Sequence, residues 1–540
     1  MAKNTENYRR VPVLSASAAA SLFPSAGTVC FCGAGGGIME PTAVIEALAK
    51  RFQECGEPRN LTIITTTGLG DRAERGISPL AEEGLCKRAI LGHWGQSPRI
   101  SELAEKNRIE AYNYPQGVLS QMWRGIAAHQ PGIITQTGLG TFMDPRQRGA
   151  KLNDVTKEDL VSLMEIDGEE YLFYKAFKPD VCVIRGSTAD MEGYLSLEDE
   201  VALMDVLPMA QAAHNSGGIV IAQVKRLVKK GSIHPKDVKV PGYLVDYLVV
   251  CEEQEPIYGV KDSSYIGGRY AADEQSSVPV PLTERKVIAR RALMEARPGD
   301  VGNLGVGIAD GIGACAAEEG VDQSVTLTTE HGVSGGVTVQ GHAFGACVNM
   351  KSIIDMPAQF DFYDGGGLDI CYVSFAEMDA KGNVNVHKFN GKIMGTGGFI
   401  NITQNSKKVV FCGTLKSGKL RTKVGDGAIE ITQEGKYIKM VNQVEEITFS
   451  SADAIRRSQE VLYVTERAVF RLTPNGVMLT EVAPGIDMEK DVLAHMEFKP
   501  LLADPVRVMD ARIFMDAPMK LDQEWFPKNE KEENLSFNHT

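Results

Sequence analysis

Residues 28–52 read TVCFCGAGGGIMEPTAVIEALAKRF, and residues 61–70 read LTIITTTGLG. The run 28–32 is short, apolar and rich in strand-forming residues. A cluster of glycines follows, then Pro41, which suits a helix start, then a helical apolar spacing over 43–52. A second β-rich run spans 61–65. Strand, glycine turn, helix and strand in this order describe a crossover between parallel strands. Further apolar β-rich runs at 181–184 and 218–224, separated by a helical pattern over 198–214, extend the same alternation. The second half repeats the unit: residues 301–320 read VGNLGVGIADGIGACAAEEG and residues 325–336 read VTLTTEHGVSGG. Superposing the second strands sets residues 64–67 against 327–330, so Thr67 of the first half corresponds to Glu330 of the second. The expected fold is α/β, with two related domains of mainly parallel sheets flanked by helices.

The 540 residues exceed what one compact core accommodates and agree with two domains. The expected boundaries are 1–275 for the first domain, 282–523 for the second and 524–540 for a polar tail. Residues 251–280 are rich in polar and turn-forming residues and end near a Val-Pro-Val-Pro run, as an interdomain linker would. Helical periodicity resumes over 283–296. The tail from residue 527 is rich in Lys, Glu and Asn and reads as disordered. Glycine occurs 55 times, above the ordinary share of about 7%, which points to tight turns and close backbone approaches to a ligand. A net charge of -13 without any basic block argues against nucleic acid as a partner. No signal peptide and no apolar run of about 18 residues is present, so neither secretion nor a membrane span is expected, and the compartment reads as cytoplasmic. Cys182, Cys251, Cys371 and Cys412 lie in apolar runs and read as buried, reduced thiols. Cys30 and Cys32 lack a second pair, and the nine histidines show no ligand spacing, so no metal is expected.

Four glycine-bearing or acidic stretches are candidates for chemistry, each with a plainer alternative. The turn 33–37 could present backbone N–H groups to an anion or be a tight strand–helix turn; Ile38 stands where a dinucleotide fingerprint needs a small residue. In residues 305–311, Asp310 occupies a position such a fingerprint reserves for Gly or Ala, so a phosphate- or pantetheine-facing loop fits better than a nicotinamide site. No phosphate-binding G-x-x-x-x-G-K-[ST] run occurs. Glu330 closes an apolar strand, at the carboxyl edge where α/β sheets bind ligands. A buried glutamate there is costly without a partner; the alternative is a surface-loop glutamate. His331 beside it reads as structural rather than catalytic. The run 395–399, GTGGF, could form a nest of amides for developing negative charge or a simple turn.

The TTEHG stretch at 328–332 resembles the glutamate signature of family I CoA-transferases, in which [ST]-E-x-G surrounds the nucleophile. NLGVGIADGIG at 303–313, FGACVNM at 344–350, GGGLDICYVSFAEMDAKGNVNV at 365–386 and GKIMGTGGFI at 391–400 follow in that family's order. GAGGGIMEP at 33–41, YNYPQG at 112–117 and GLGTFMDPR at 138–146 are similar to its α-subunit motifs. The likeness runs from about residue 11 to residue 522 and is strongest to the fused single-chain acetate or propionate CoA-transferase branch. It implies an active site between the domains and transfer of CoA between short-chain acyl-CoAs and carboxylates. It places the glutamyl-CoA thioester on Glu330 and the acyl-facing glutamine on Gln116. It puts a loop lining CoA at Gly305, Val306, Gly307, Ile308 and Ala309, and another at Gly395 and Gly397. Gly398 is implied as the oxyanion-stabilising amide and Lys416 as a CoA contact. The family pattern commonly has Asn where His331 stands. The resemblance further implies no permanently bound cofactor, with CoA and acyl-CoA as substrates, ping-pong kinetics and a homodimer or homotetramer. An acyl-CoA hydrolase on the same fold and a non-catalytic acyl-CoA-binding protein are the alternative functions.

Overall fold

The structure is a computed structural model that describes residues 9–272, 280–305, 307, 311–339, 341 and 344–527. Part of the expected linker, residues 273–279, and most of the expected tail lie outside the described residues.

The first half builds a sheet from β1 (Val13–Leu14), β2 (Thr28–Phe31), β3 (Leu61–Thr65), β4 (Cys86–Leu91), β5 (Glu110–Asn113), β6 (Val181–Asp190), β7 (Leu195–Ser196), β8 (Ile219–Val228) and β9 (Tyr247–Val250). The spatial order is β1-β9-β8-β6-β2-β3-β4-β5, every neighbouring pair on this path is parallel, and β7 adds antiparallel to β6. Such strands are covered on both faces, which is why β2 and β3 are apolar almost throughout. The second half builds a ten-stranded sheet from β10 (Val301–Leu304), β11 (Thr326–Thr328), β12 (Val333–Ser334), β13 (Ser352–Ile353), β14 (Ile370–Ser374), β15 (Lys408–Cys412), β16 (Glu460–Val464), β17 (Ala468–Thr473), β18 (Gly476–Val482) and β19 (Leu501–Val508). Its order is β13-β12-β11-β10-β14-β15-β16-β17-β18-β19; the centre, β11 to β16, is parallel, and antiparallel pairings appear toward both edges.

The helices that frame the site are α1 (Thr42–Cys55), α2 (Gln116–Ala127), α3 (Val206–Asn215), α4 (Glu284–Leu293), α5 (Gly311–Glu318), α6 (Met356–Asp364) and α7 (Phe399–Asn405). Helix α1 buries Val44, Ile45, Leu48 and Ala49 along one stripe and stops at Gly56, whose left-handed conformation turns its N–H back to the Phe52 carbonyl. The expected helix over 198–214 begins only at Val206. Glu200 is committed to a buried ion pair with Arg185 at 3.0 Å, and Met204 takes φ +53°, which no helix accommodates. Cys251 is only half-buried, because it follows the last residue of β9, where the chain leaves the sheet. Among the described residues, no helix is long and apolar enough to cross a membrane.

The halves pack through α2 against α6 and α7. Gly117 makes that approach possible: a Cβ there would lie 2.4 Å from Asn401 Nδ2 and 2.5 Å from Phe360 Cδ1. Its N–H instead donates to Asn401 Oδ1 at 3.1 Å. Farther along, the Arg124 guanidinium pairs with Asp361, the Trp94 N–H donates to the Met394 carbonyl at 2.9 Å, and the Phe142 ring stacks on His387 at 3.5 Å.

Candidate active site

A cavity of about 600 Å³ opens between the halves. Segments at the carboxyl ends of seven strands reach it: 34–36 after β2, 67–68 after β3, His93 after β4, Gln116 after β5, Gly305 after β10, Glu330 after β11 and 375–376 after β14. The two sheets therefore point their ligand-binding edges at one space. Thr67 and Glu330, the positions set opposite by the internal repeat, both line it. Thr67 is spent on structure, donating its hydroxyl to the Gly33 carbonyl at 2.6 Å.

Glu330 differs. Its Oε2 is buried and has no hydrogen-bond partner among the described residues. A polar atom left so is costly unless a ligand supplies the partner. The peptide before it is held firmly. Thr329 N–H donates to the Val333 carbonyl at 2.9 Å, closing a tight turn, and the Thr328 hydroxyl meets the Gly302 carbonyl and the Tyr363 hydroxyl at 2.9 and 2.8 Å. Burial, with the Glu330 charge adding to it, pushes the Tyr363 hydroxyl above its ordinary range, so it stays a neutral donor. His331 lines the same cavity, but its Nδ1 faces Gly345 so closely that a Cβ on that glycine would sit 1.9 Å away.

The glycine loop before α7 lies across the cavity with most of its amides used. Gly395 N–H donates to His387, Thr396 N–H to Asn113 Oδ1, Gly397 N–H to Gly92 and Phe399 N–H to Thr396. Gly398 N–H alone in this run has no partner among the described residues. Gln116, buried at the start of α2, donates its backbone N–H to the Gly397 carbonyl at 3.0 Å, and its Nε2 reaches only the Met356 sulfur, at 3.3 Å. The side-chain amide thus keeps hydrogen-bonding capacity toward the cavity.

Gly305, Gly307, Gly395, Gly397, Gly398, Gln116 and Glu330 are brought together on this one lining. Gly305 packs its backbone on β14, with its N–H on the Tyr372 carbonyl at 2.7 Å, and Gly307 takes φ +108° beside Ser374. Val306, Ile308 and Ala309 lie outside the described residues. Lys416 sits elsewhere, on a two-residue strand paired with Tyr437 and Ile438, and is not part of the lining.

A family model described as coenzyme A transferase matches residues 13–251. The acetate CoA-transferase YdiF of Escherichia coli strain K12 is 57% identical over 511 residues, covering 94% of this chain and 96% of that protein. The chain belongs to the coenzyme A transferase family. The caffeate CoA-transferase of Acetobacterium woodii is 44% identical over 513 residues, covering 93% of this chain and 97% of its own. A crystal structure of the Escherichia coli O157:H7 acyl-CoA transferase YdiF, a thioester complex with CoA, superposes with a TM-score of 0.91 at 56% identity, covering 95% of this chain and 97% of that one.

The cavity of this coenzyme A transferase also holds residues that sequence reasoning passed over. Phe344, Val373, Phe375, Val386, Phe389 and Met394 give it an apolar wall. His93 lines it with a buried Nδ1 that has no partner among the described residues; burial first, and then the charge of Arg72, pull its imidazole down to about 4, so it is neutral at physiological pH. Arg72 lines the mouth from a left-handed conformation, φ +65°, with its N–H on the Gln96 carbonyl at 2.9 Å. The carboxyl-edge rule that singled out Glu330 applies equally to the HWG stretch at 93–95, directly after β4, and was the available signal.

Proposed function

We propose that this protein moves CoA from a short-chain acyl-CoA to a free carboxylate through a thioester on Glu330. The observation that carries the reading is the buried Glu330 Oε2, unpartnered among the described residues and set in one cavity with Gly398, whose N–H is the one amide of the glycine loop without a described partner. The named activities of the similar acetate and caffeate CoA-transferases support it. In this reading the units of the chain are residues 1–275 and 282–523, each carrying one large sheet, and the assembly is a homo-oligomer.

The steps balance without a net proton. Glu330 attacks the acyl carbonyl of the thioester, the addition oxyanion collapses and CoA thiolate leaves, giving an acyl–glutamyl anhydride. The thiolate adds to the glutamyl carbonyl, the free acid departs and Glu330 carries CoA. An acceptor carboxylate reverses the order and leaves as the new acyl-CoA. Splitting one exchange into two halves predicts ping-pong kinetics. A carboxylate is a weak nucleophile while hydrated, and the apolar wall removes water that would otherwise stabilise it. Each addition builds an oxyanion, for which Gly398 N–H and the Gln116 amide are the available donors. Contacts to the long CoA chain supply binding energy for that desolvation.

The test is to incubate the protein with acetyl-CoA and no acceptor, heat it briefly and run a denaturing gel. In a glutamyl thioester the Glu330 backbone nitrogen attacks its own side-chain carbonyl, CoA leaves, and the strained Thr329–Glu330 bond hydrolyses. Two fragments meeting at Glu330, absent without acyl-CoA and in Glu330→Gln, support the thioester. An intact chain that still transfers CoA would sink it. Steady CoA release without any acceptor acid would instead establish a hydrolase.

A further inference from the structure

The proposed exchange asks the cavity to admit an anion. The acyl end of an acyl-CoA is neutral, but the acceptor acid arrives as a carboxylate, close to Glu330 and away from bulk water. An anion in such a place needs a cation or several donors. The described residues of the lining hold four titratable side chains: Glu330, His93, His331 and Arg72. Burial disfavours protonation of both imidazoles. Arg72 is therefore the one permanent cation among the described lining residues.

Its guanidinium is also unspent. Neighbouring arginines are committed: Arg75 lies over the Tyr258 ring, Arg88 pairs with Glu110 and Glu158, and Arg99 with Glu74 and Glu82. Arg72 makes no ion pair with any described residue. Its base is firm. The N–H is held on Gln96, whose side chain packs so tightly on Gly35 and Gly68 that a Cβ on either would meet it at 2.7 and 2.9 Å. Arg72 shares the cavity lining with His93, Gln96 and Glu330.

We infer that Arg72 recognises the carboxylate of the acid exchanged at the Glu330 site, an inference that rests on the transferase reading above. The exposed guanidinium, on the same lining as Glu330, draws in and holds the incoming carboxylate, and the apolar wall receives its alkyl or aryl chain. The acid is thereby selected by one charge and one apolar face, and the acyl-CoA donor does not use the contact.

Half-reactions separate the possibilities. The full-length protein, Arg72→Gln and Arg72→Lys are compared in two measurements: the rate of CoA adduct formation on Glu330 from acetyl-CoA without acceptor, and the KM for acetate as acceptor. The expected result is an adduct rate that falls no more than about two-fold in Arg72→Gln, with an acetate KM raised about 10- to 100-fold, as for loss of a charged hydrogen bond. Arg72→Lys recovers part of the loss because it keeps the charge without the fork. An unchanged acetate KM with normal adduct formation would overturn the role of Arg72 and leave the transferase reading standing. An equal rise in the KM of acetyl-CoA would also overturn it, assigning Arg72 to the CoA phosphates. Absence of any adduct in the unsubstituted protein would remove the transferase reading itself.

Discussion

The backbone N–H of Gln116 donates to the carbonyl of Gly397 at 3.0 Å, joining the first helix turn of one half to the glycine loop of the other. The same Gly397 donates its own N–H to Gly92 at 2.8 Å. The peptide between the halves is thus fully used, and the next residue, Gly398, lies on the cavity lining with its N–H unpartnered among the described residues. Gly398 has φ -81°, which proline tolerates. Gly398→Pro deletes that donor and should lower kcat by about 10²–10³-fold while CoA binding changes little. Gly398→Ala keeps the donor and should lose far less. Equal loss of turnover and of CoA affinity in the proline variant, measured by steady-state kinetics and calorimetry, would point to misfolding instead.

Glu330→Asp shortens the side chain by one methylene. The turn at 329–333 fixes the backbone, so the carboxylate cannot follow the substrate. Activity should fall about 10²-fold, the usual consequence of a misplacement near 1 Å. Turnover close to that of the unsubstituted protein would remove Glu330 as nucleophile.

Gly345→Ala tests whether His331 sets the geometry beside Glu330. The added Cβ would overlap His331 Nδ1 at 1.9 Å, and φ +107° suits only glycine. Overpacking and backbone strain together should cost roughly 2–4 kcal/mol. Thermal unfolding should show the loss, and the surviving folded protein should turn over slowly because the displaced imidazole pushes the 330–331 peptide. A variant of normal Tm and normal kcat contradicts this.

Glu40 supports the glycine turn from below. Its buried carboxyl accepts from Gly70 N–H at 2.7 Å, Gly37 N–H at 3.3 Å and the Tyr258 hydroxyl at 2.5 Å. Burial nevertheless raises it from 4.5 to about 7. Between those values the folded protein holds a proton that the unfolded chain releases. Its contribution to stability is complete below pH 4.5 and is lost as pH rises through about 7. Glu40→Gln removes the titration, so the Tm of Glu40→Gln relative to the unsubstituted protein should rise from pH 5 to pH 8. Parallel Tm profiles for the two proteins would refute it.

Much of the architecture was readable along the chain. Apolar runs of four to six residues, glycine turns and one-sided helices have short-range causes, and they located β2, β3 and α1 almost to the residue. The internal repeat paired Thr67 with Glu330, and both face one cavity. Local pattern failed where distant partners decide. Residues 198–205 have helical spacing, yet the buried Arg185 draws Glu200 out of that course. His93 carries only the general carboxyl-edge signal and Arg72 no local pattern, because their importance comes from which strand ends meet across the interface.

Sequence by itself determined the parallel α/β units and the place of a lone glutamate at a strand's carboxyl edge, since period, turn chemistry and apolar runs act over a few residues. Only the tertiary structure decided that, among the described residues, Oε2 of this glutamate would lack a partner, the Gly398 amide would stay unbonded, and Arg72 on the same lining would make no ion pair. Hydrogen-bond and charge satisfaction is an accounting over neighbours in space. Here such neighbours lie hundreds of residues apart in the chain; the bond from Thr396 N–H to Asn113 spans 283.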